Sequence, residues 1–364
     1  MAKAKKVRWY IPGLLAFIAF IFITPAPIPM ETVLKPVWIT SLASNNPIAL
    51  GNDPQREKDD NALFPFTLGN RFGYVGEDGN FAINRLRNGY ISLSENSWAE
   101  YDSTPSLIQV MNPMDEGVFS IEAPKGYPMF LDNRTFIVGN EQNFINALDD
   151  SGATLWTYYF AAPITCVDAA GRYLLAGTLD GEVILLDASG VPVIAPFEPG
   201  GSRLSVILGC AISEDASRFA LVSGIDEQRF LYLERSGDTY KVIYHEFLGS
   251  GFRRPVHIGF IDNGGKIVFE REGGLGIYSI GGRGSVRVGM EGEIAALDDS
   301  GDEGFLFVIT SQGANEKRLI SIRYPGIIVN EAPFKSGSVF LFRRNKRLYL
   351  GGDMSIASFE LERR

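Results

Sequence analysis

Beyond the first sixty residues, the chain breaks into short apolar and aromatic runs separated by turns rich in Gly, Asp, Asn and Ser. Residues 164–190, ITCVDAAGRYLLAGTLDGEVILLDASG, show the pattern most openly. The spacing predicts strands over 164–168, 173–176 and 183–187, with turns at 169–171 and at Asp180-Gly181. Asp-Gly between two β-rich runs favours a tight hairpin, because both turn positions take positive φ. A fourth run, 191–197, follows Ser189-Gly190. Four antiparallel strands in about forty residues is the size of one propeller blade.

The unit recurs. Turns ending at Gly152, Gly190, Gly237, Gly282 and Gly326 each follow a strand-like run, and successive ones lie 38, 47, 45 and 44 residues apart, the period of a four-stranded blade rather than of a sandwich strand. Units are expected at 79–115, 116–160, 161–199, 200–249, 250–291 and 292–334. The last, 335–364, holds three strands, and its fourth is expected from 64–75 near the start of the propeller. A ring closed by strands from both termini leaves no open sheet edge. The fold class expected is all-β, a seven-bladed β-propeller over 63–364, with six or eight blades as alternatives and an N-terminal transmembrane helix.

Residues 147–160, ALDDSGATLWTYYF, carry a more specific signal. Ala147, Asp149, Gly152 and Trp156 follow the order A-x-D-x-x-x-G-x-x-x-W, one spacing being a residue shorter, and 185–190 repeats its first half without the tryptophan. The chain thus resembles the quinoprotein-like propellers, which shade into WD40-like ones, although no Trp-Asp ends a strand here. The resemblance implies architecture. It covers both quinone-dependent dehydrogenases and non-catalytic scaffolds, so it does not choose a function.

The N-terminal segment reads differently. Lys3, Lys5, Lys6 and Arg8 precede an uncharged run over 9–24. A helix over 7–24 would be about 27 Å long, close to the hydrocarbon thickness of a bilayer. The basic flank is expected to stay cytoplasmic (residues 1–8) and to place everything after the anchor outside. A cleaved signal peptide is the alternative, opposed by the prolines of TPAPIPM. Residues 25–62 are expected to form a Pro-rich connector, whose stretch 30–43 is either a short helix or an extended segment. The localisation expected is the inner membrane, single-pass, with the propeller on the periplasmic or extracellular side.

Composition narrows the chemistry. A net charge of −9 argues against a nucleic-acid surface. Two cysteines, Cys166 and Cys210, exclude a disulfide scaffold and paired CxxC zinc sites. They fall in the first strands of successive blades, which are expected to stand too far apart for the Cα separation of under about 7 Å that a disulfide needs, so buried free thiols are expected. His245 and His257 have no nucleophile motif beside them. Asp298, Asp299, Asp302 and Glu303 are dense in oxygen but lack calcium-loop spacing, and read as an acidic turn. No catalytic residue, cofactor or metal is expected.

One constellation remains. Links between the outer strand of one unit and the inner strand of the next share one end of a propeller. They hold Lys125, Arg203, Phe252, Arg253, Arg254 and Lys335, each within two residues of Gly or Pro. A basic inner ring in an acidic protein would attract an acidic partner surface. The expectation is therefore a membrane-anchored, non-enzymatic interaction scaffold. A ligand-binding or hydrolytic propeller using the channel mouth, and a degenerate quinone-dependent dehydrogenase, are the alternatives.

Overall fold

The structure, a computed structural model, describes residues 32–44, 47–50, 62–200, 202–237, 239–298, 300–301 and 303–363. The expected anchor over 9–24 lies outside the described residues. Within them there is no helix, and every regular element is a strand.

The strands form eight sheets, hydrogen-bonded antiparallel in chain order from the inside outward. The propeller therefore has eight blades, not seven. Blade 1 comprises Leu63–Leu68, Arg71–Gly76 and Phe81–Leu86, and blade 2 runs from Tyr90–Leu93 to Gly117–Glu122. Blades 3 to 7 begin at the inner strands Gly126–Leu131, Ile164–Ala170, Ile207–Ile212, Ile258–Ile261 and Glu293–Leu297. Blade 8 contains Val339–Arg344, Arg347–Gly352 and Ser355–Arg363, then Thr32–Ser41 as its fourth strand, with the short Ile48–Ala49 outside it.

The missing blade and the misplaced closing strand have one cause. Residues 64–75 do not complete the last blade; they make the first hairpin of blade 1, turning at Gly69-Asn70 with Gly69 at φ 60°. Closure comes instead from Thr32–Ser41, which pairs antiparallel with Ser355–Arg363 from Thr32↔Arg363 to Ser41↔Ser355. Pro36 made that stretch read as connector. It sits where the register shifts between Pro36 and Trp38, at a bulge where proline is tolerated in a strand.

The core lies between blades. Eight buried apolar clusters each draw on two neighbouring sheets, and together they run round the ring. The one at the seam joins Val37, Trp38, Tyr349 and Ile356 of blade 8 to Phe64, Phe66, Leu68 and Val75 of blade 1. Trp38 is 5% exposed, and its indole N–H donates to the Glu77 carbonyl at 2.8 Å. Trp156, the tryptophan of the repeat-like segment, also works between blades. Its indole donates to the Ala188 carbonyl at 2.8 Å and its ring covers Gly190, where a Cβ would lie 2.6 Å from the ring.

Blade 4 departs from the pattern. Its three regular strands end at Val183–Leu186, and the expected fourth, 191–197, makes only two bridges to it, Val183↔Phe197 and Leu186↔Pro192. Pro192 and Pro196 have no N–H to donate, so no continuous ladder forms. Blades 7 and 8 are tied at the end away from the links by a buried ion pair, Arg343 Nη1 to Asp298 Oδ2 at 3.1 Å. The Asp298 Oδ1 accepts from the Ser300 backbone at 3.0 Å and from its hydroxyl at 2.7 Å. Asp298 is thus a structural carboxylate, while Asp299 and Asp302 lie outside the described residues.

Burial sets the expected cost of losing each tryptophan. Trp38→Ala should destabilise the protein by about 3–5 kcal/mol, the range for a buried Trp. Trp156→Ala, whose ring is half-exposed, should cost about 2 kcal/mol. Urea unfolding of the two variants beside the unsubstituted chain checks both. A loss below about 1 kcal/mol at Trp38 would mean that the seam does not hold the ring.

Candidate functional site

In each blade the second-to-third-strand turn lies at the same end as the links, because successive strands are antiparallel. This link end carries all six residues singled out from the sequence, but on four different links. Lys125 lies between blades 2 and 3, and Lys335 closes the outer strand Ile327–Lys335 of blade 7. Both are exposed. Arg203 lies on the link entering blade 5, and Phe252, Arg253 and Arg254 lie on the link leaving it.

The structure brings the last four together through one turn. Blade 5 turns between Arg218–Ser223 and Arg229–Ser236. Asp226, at the tip, accepts from the Ser202 hydroxyl and from the Arg203 backbone N–H at 3.4 Å. The Ser202 hydroxyl holds the Asp226 carboxyl below its usual range. Arg229 clamps the same link from beneath, donating to the Pro199 carbonyl at 2.5 Å. On the other side, Gln228 is buried, accepts from the Phe252 N–H at 3.1 Å and donates to the Phe252 carbonyl. Both links are thereby fixed to residues 225–229.

The two adjacent arginines differ in kind. Arg254 is committed within the fold. It makes a forked pair with Glu270, Nη2 to Oε1 at 2.6 Å and Nη1 to Oε2 at 3.0 Å, and its guanidinium carbon stands 4.8 Å from the Phe252 ring centroid. Glu270 is 3% exposed and also accepts from the His257 N–H at 3.2 Å. This pairing raises the Arg254 pKa further above its ordinary value. Arg253 is exposed. The sequence did hold a clue to Glu270: in KIVFER it sits between Phe269 and Arg271, charged inside an apolar strand.

The charge around these cations is mixed. Exposed carboxylates at the same end include Asp78, Glu141, Asp180, Asp226, Glu227 and Glu272. The basic residues are set among acidic turns rather than forming a continuous ring.

His245 lies exposed on the outer strand Thr239–Phe247, and His257 is exposed just before Ile258–Ile261. A calcium-held quinone needs clustered oxygen ligands. Among the described residues no group of three or more His, Cys, Asp or Glu side chains could hold a metal ion.

A family model described as a beta-propeller protein matches residues 1–363. The chain belongs to that β-propeller family. A protein of Treponema pallidum (strain Nichols), described as uncharacterized, is 26% identical over 366 residues, covering 99% of this chain and 95% of that protein. Among solved structures, BamB from Moraxella catarrhalis superposes with a TM-score of 0.60 at 14% identity, over 90% of this chain and 100% of that one. The computationally designed Ika8 protein gives 0.59 at 14% identity, over 83% and 98% of the two chains. Apo AztD from Citrobacter koseri gives 0.55 at 10% identity, over 80% and 88%. At these identities the likenesses speak for the fold alone, a quinoprotein-like β-propeller.

Two expected outcomes follow from the geometry. Arg254→Glu should destabilise the protein by about 1–3 kcal/mol, because it strands the buried Glu270, whereas Arg253→Glu should stay within about 0.5 kcal/mol. Denaturant midpoints of the two variants separate these roles; equal losses would contradict the assignment.

The second concerns acid. Asp215, in the blade 5 turn before Arg218–Ser223, accepts from the Ser213 hydroxyl at 2.7 Å, the Ser217 N–H at 3.0 Å and the Ser217 hydroxyl at 2.8 Å. These bonds lower its pKa to about 2 from an ordinary 3.8. A depressed folded pKa adds stability that is complete above the unfolded value and is lost as pH falls through the folded one. The Tm deficit of Asp215→Ala should therefore be full at pH 6 and shrink between about pH 4 and pH 2. A deficit that does not change with pH would show that the carboxylate is not the source.

Proposed function

We propose that this protein is a membrane-tethered, non-enzymatic scaffold that docks a protein partner on the link end of the ring. The observation that carries the proposal is the direction of the closing strand. Ser41 pairs with Ser355, and the Leu42 N–H donates to the Met354 carbonyl at 2.8 Å, so Thr32–Ser41 ends at the link end. Its start, Thr32, lies at the opposite end, against Arg363. If residues 9–24 span a bilayer, 25–31 reach at most about 25 Å. The end of the ring at which Thr32 enters then faces the membrane, and the link end points away.

The region around residues 225–229 suits docking. The loops there are held by backbone and buried side-chain bonds while Arg203 and Arg253 stay exposed, so little conformational entropy is lost on binding. Arginine and aromatic residues are favoured anchors at interfaces. Lys125 and Lys335 extend the candidate surface toward other blades, and an acidic protein surface is the partner chemistry that fits the exposed cations.

The test uses the full chain in detergent-solubilised membranes. Arg203→Glu with Arg253→Glu should abolish recovery of the partner and leave the Tm nearly unchanged, since neither side chain is buried. Raising salt should weaken the unsubstituted complex, as exposed charges are screened over about 10 Å at 0.1 M. Undiminished recovery by a folded double variant would reject this surface. Release of the protein by a carbonate wash, with an N-terminus beginning after residue 24, would reject the tether separately.

A further inference from the structure

We infer that Cys166 and Cys210 are a disulfide-forming pair that staples blade 4 to blade 5 at their inner strands. Cys166 lies on Ile164–Ala170 and Cys210 on Ile207–Ile212. At this seam hydrogen bonds join the two inner strands directly. The Thr165 hydroxyl donates to the Ile207 carbonyl at 2.5 Å, and the Asp168 Oδ2 accepts from the Ile212 N–H at 2.8 Å. These two bonds cross the seam on either side of Cys166 and hold the strands within side-chain reach.

Both sulfurs lie over one strand, Tyr173–Thr178 of blade 4. The Cys210 Sγ stands 3.8 Å from the Leu175 carbonyl oxygen. The Cys166 Sγ occupies space that a side chain on Gly177 would need, 2.8 Å from where its Cβ would sit. Leu175 and Gly177 are two residues apart and share a face of that strand. Both side chains thus lie at the same seam, where the neighbouring Cys166 and burial raise the Cys210 pKa. Cys166 also packs against the apolar cluster that contains Cys210. Both cysteines are free thiols in this structure.

The chemistry balances with a small disulfide as oxidant. Cys166 is half-buried and Cys210 buried, so Cys166 meets the oxidant first. Its thiolate attacks one sulfur of the disulfide, and the other leaves as a thiolate that takes up a proton. Cys210 then gives up its proton and attacks the Cys166 sulfur of the mixed disulfide, expelling the second thiol. Two protein thiols are oxidised and one external disulfide is reduced to two thiols. Because the buried thiol must ionise, closure should quicken as pH rises.

Blade 4 is where such a staple would matter. Its outer ladder is broken by Pro192 and Pro196, so a covalent tie would add to the packing of Val193, Ile194 and Phe197 against the cluster shared with blade 5. A covalent link there limits how far the unfolded chain can expand.

The experiment treats the full chain with oxidised glutathione, traps remaining thiols by alkylation, and maps peptides without reduction. The expected result is one intramolecular Cys166–Cys210 link, no free thiols, and a Tm several degrees above that of the reduced form. Cys166→Ser and Cys210→Ser should each leave one thiol and remove the redox dependence of Tm. Two thiols persisting after oxidation, glutathione adducts without closure, or links only between chains would overturn the pairing. A link that forms but lowers the Tm would overturn the stapling role.

Discussion

Everything in this fold depends on the pairing of Thr32–Ser41 with Ser355–Arg363. A propeller blade cannot bury both of its faces alone; each sheet is covered by its neighbours, so the row of interblade clusters must come back on itself. The seam is the one place where the chain's two ends supply the same sheet. Covalent continuity holds the strands of the other blades together, whereas hydrogen bonds, the Lys35–Glu362 ion pair and the packing of Leu34, Val37 and Trp38 hold the closing strand to Ser355–Arg363 and its neighbours. Losing it would expose the edge of Ser355–Arg363 and uncover part of the first blade's apolar face together.

The same logic accounts for the polar groups buried in the ring. Arg343 with Asp298, and Thr165 and Asp168 with their partners on Ile207–Ile212, each cross from one blade to the next. Apolar contacts between sheets set distance but little register; directional bonds fix which residue faces which. At the link end, Gln228 and Glu270 do this for the loops, and so determine which side chains are tied to the fold. That division separates Arg254, held on Glu270, from Arg253 beside it.

Much of the architecture was legible because turn chemistry is local. Asp-Gly and Ser-Gly turns between strand-like runs marked the blades in the middle of the chain, and Trp156, part of the repeat-like segment, packs between two blades. What failed was non-local. Whether 64–75 or 32–41 closes the ring depends on partners some three hundred residues away, and Pro36 argued locally against the strand that forms. Counting seven blades followed from that single misassignment. At the candidate site the links were located by their Gly and Pro residues, but no spacing rule could reveal that Glu270, on another strand, takes up Arg254. That Cys166 and Cys210 fall on successive inner strands was legible; that side-chain bonds from Thr165 and Asp168 join those strands was not.

A scaffold of this kind presents loops whose positions are inherited from the ring, so a closed ring underlies every functional statement about the link end. Native-state hydrogen exchange across the seam tests that closure most directly. In a closed ring, amides of 32–41 should exchange as slowly as those of 347–352 and 355–363, opening only with global unfolding. Fast exchange in 32–41 beside slow exchange in 355–363 would contradict it, showing a ring that stands without its N-terminal strand.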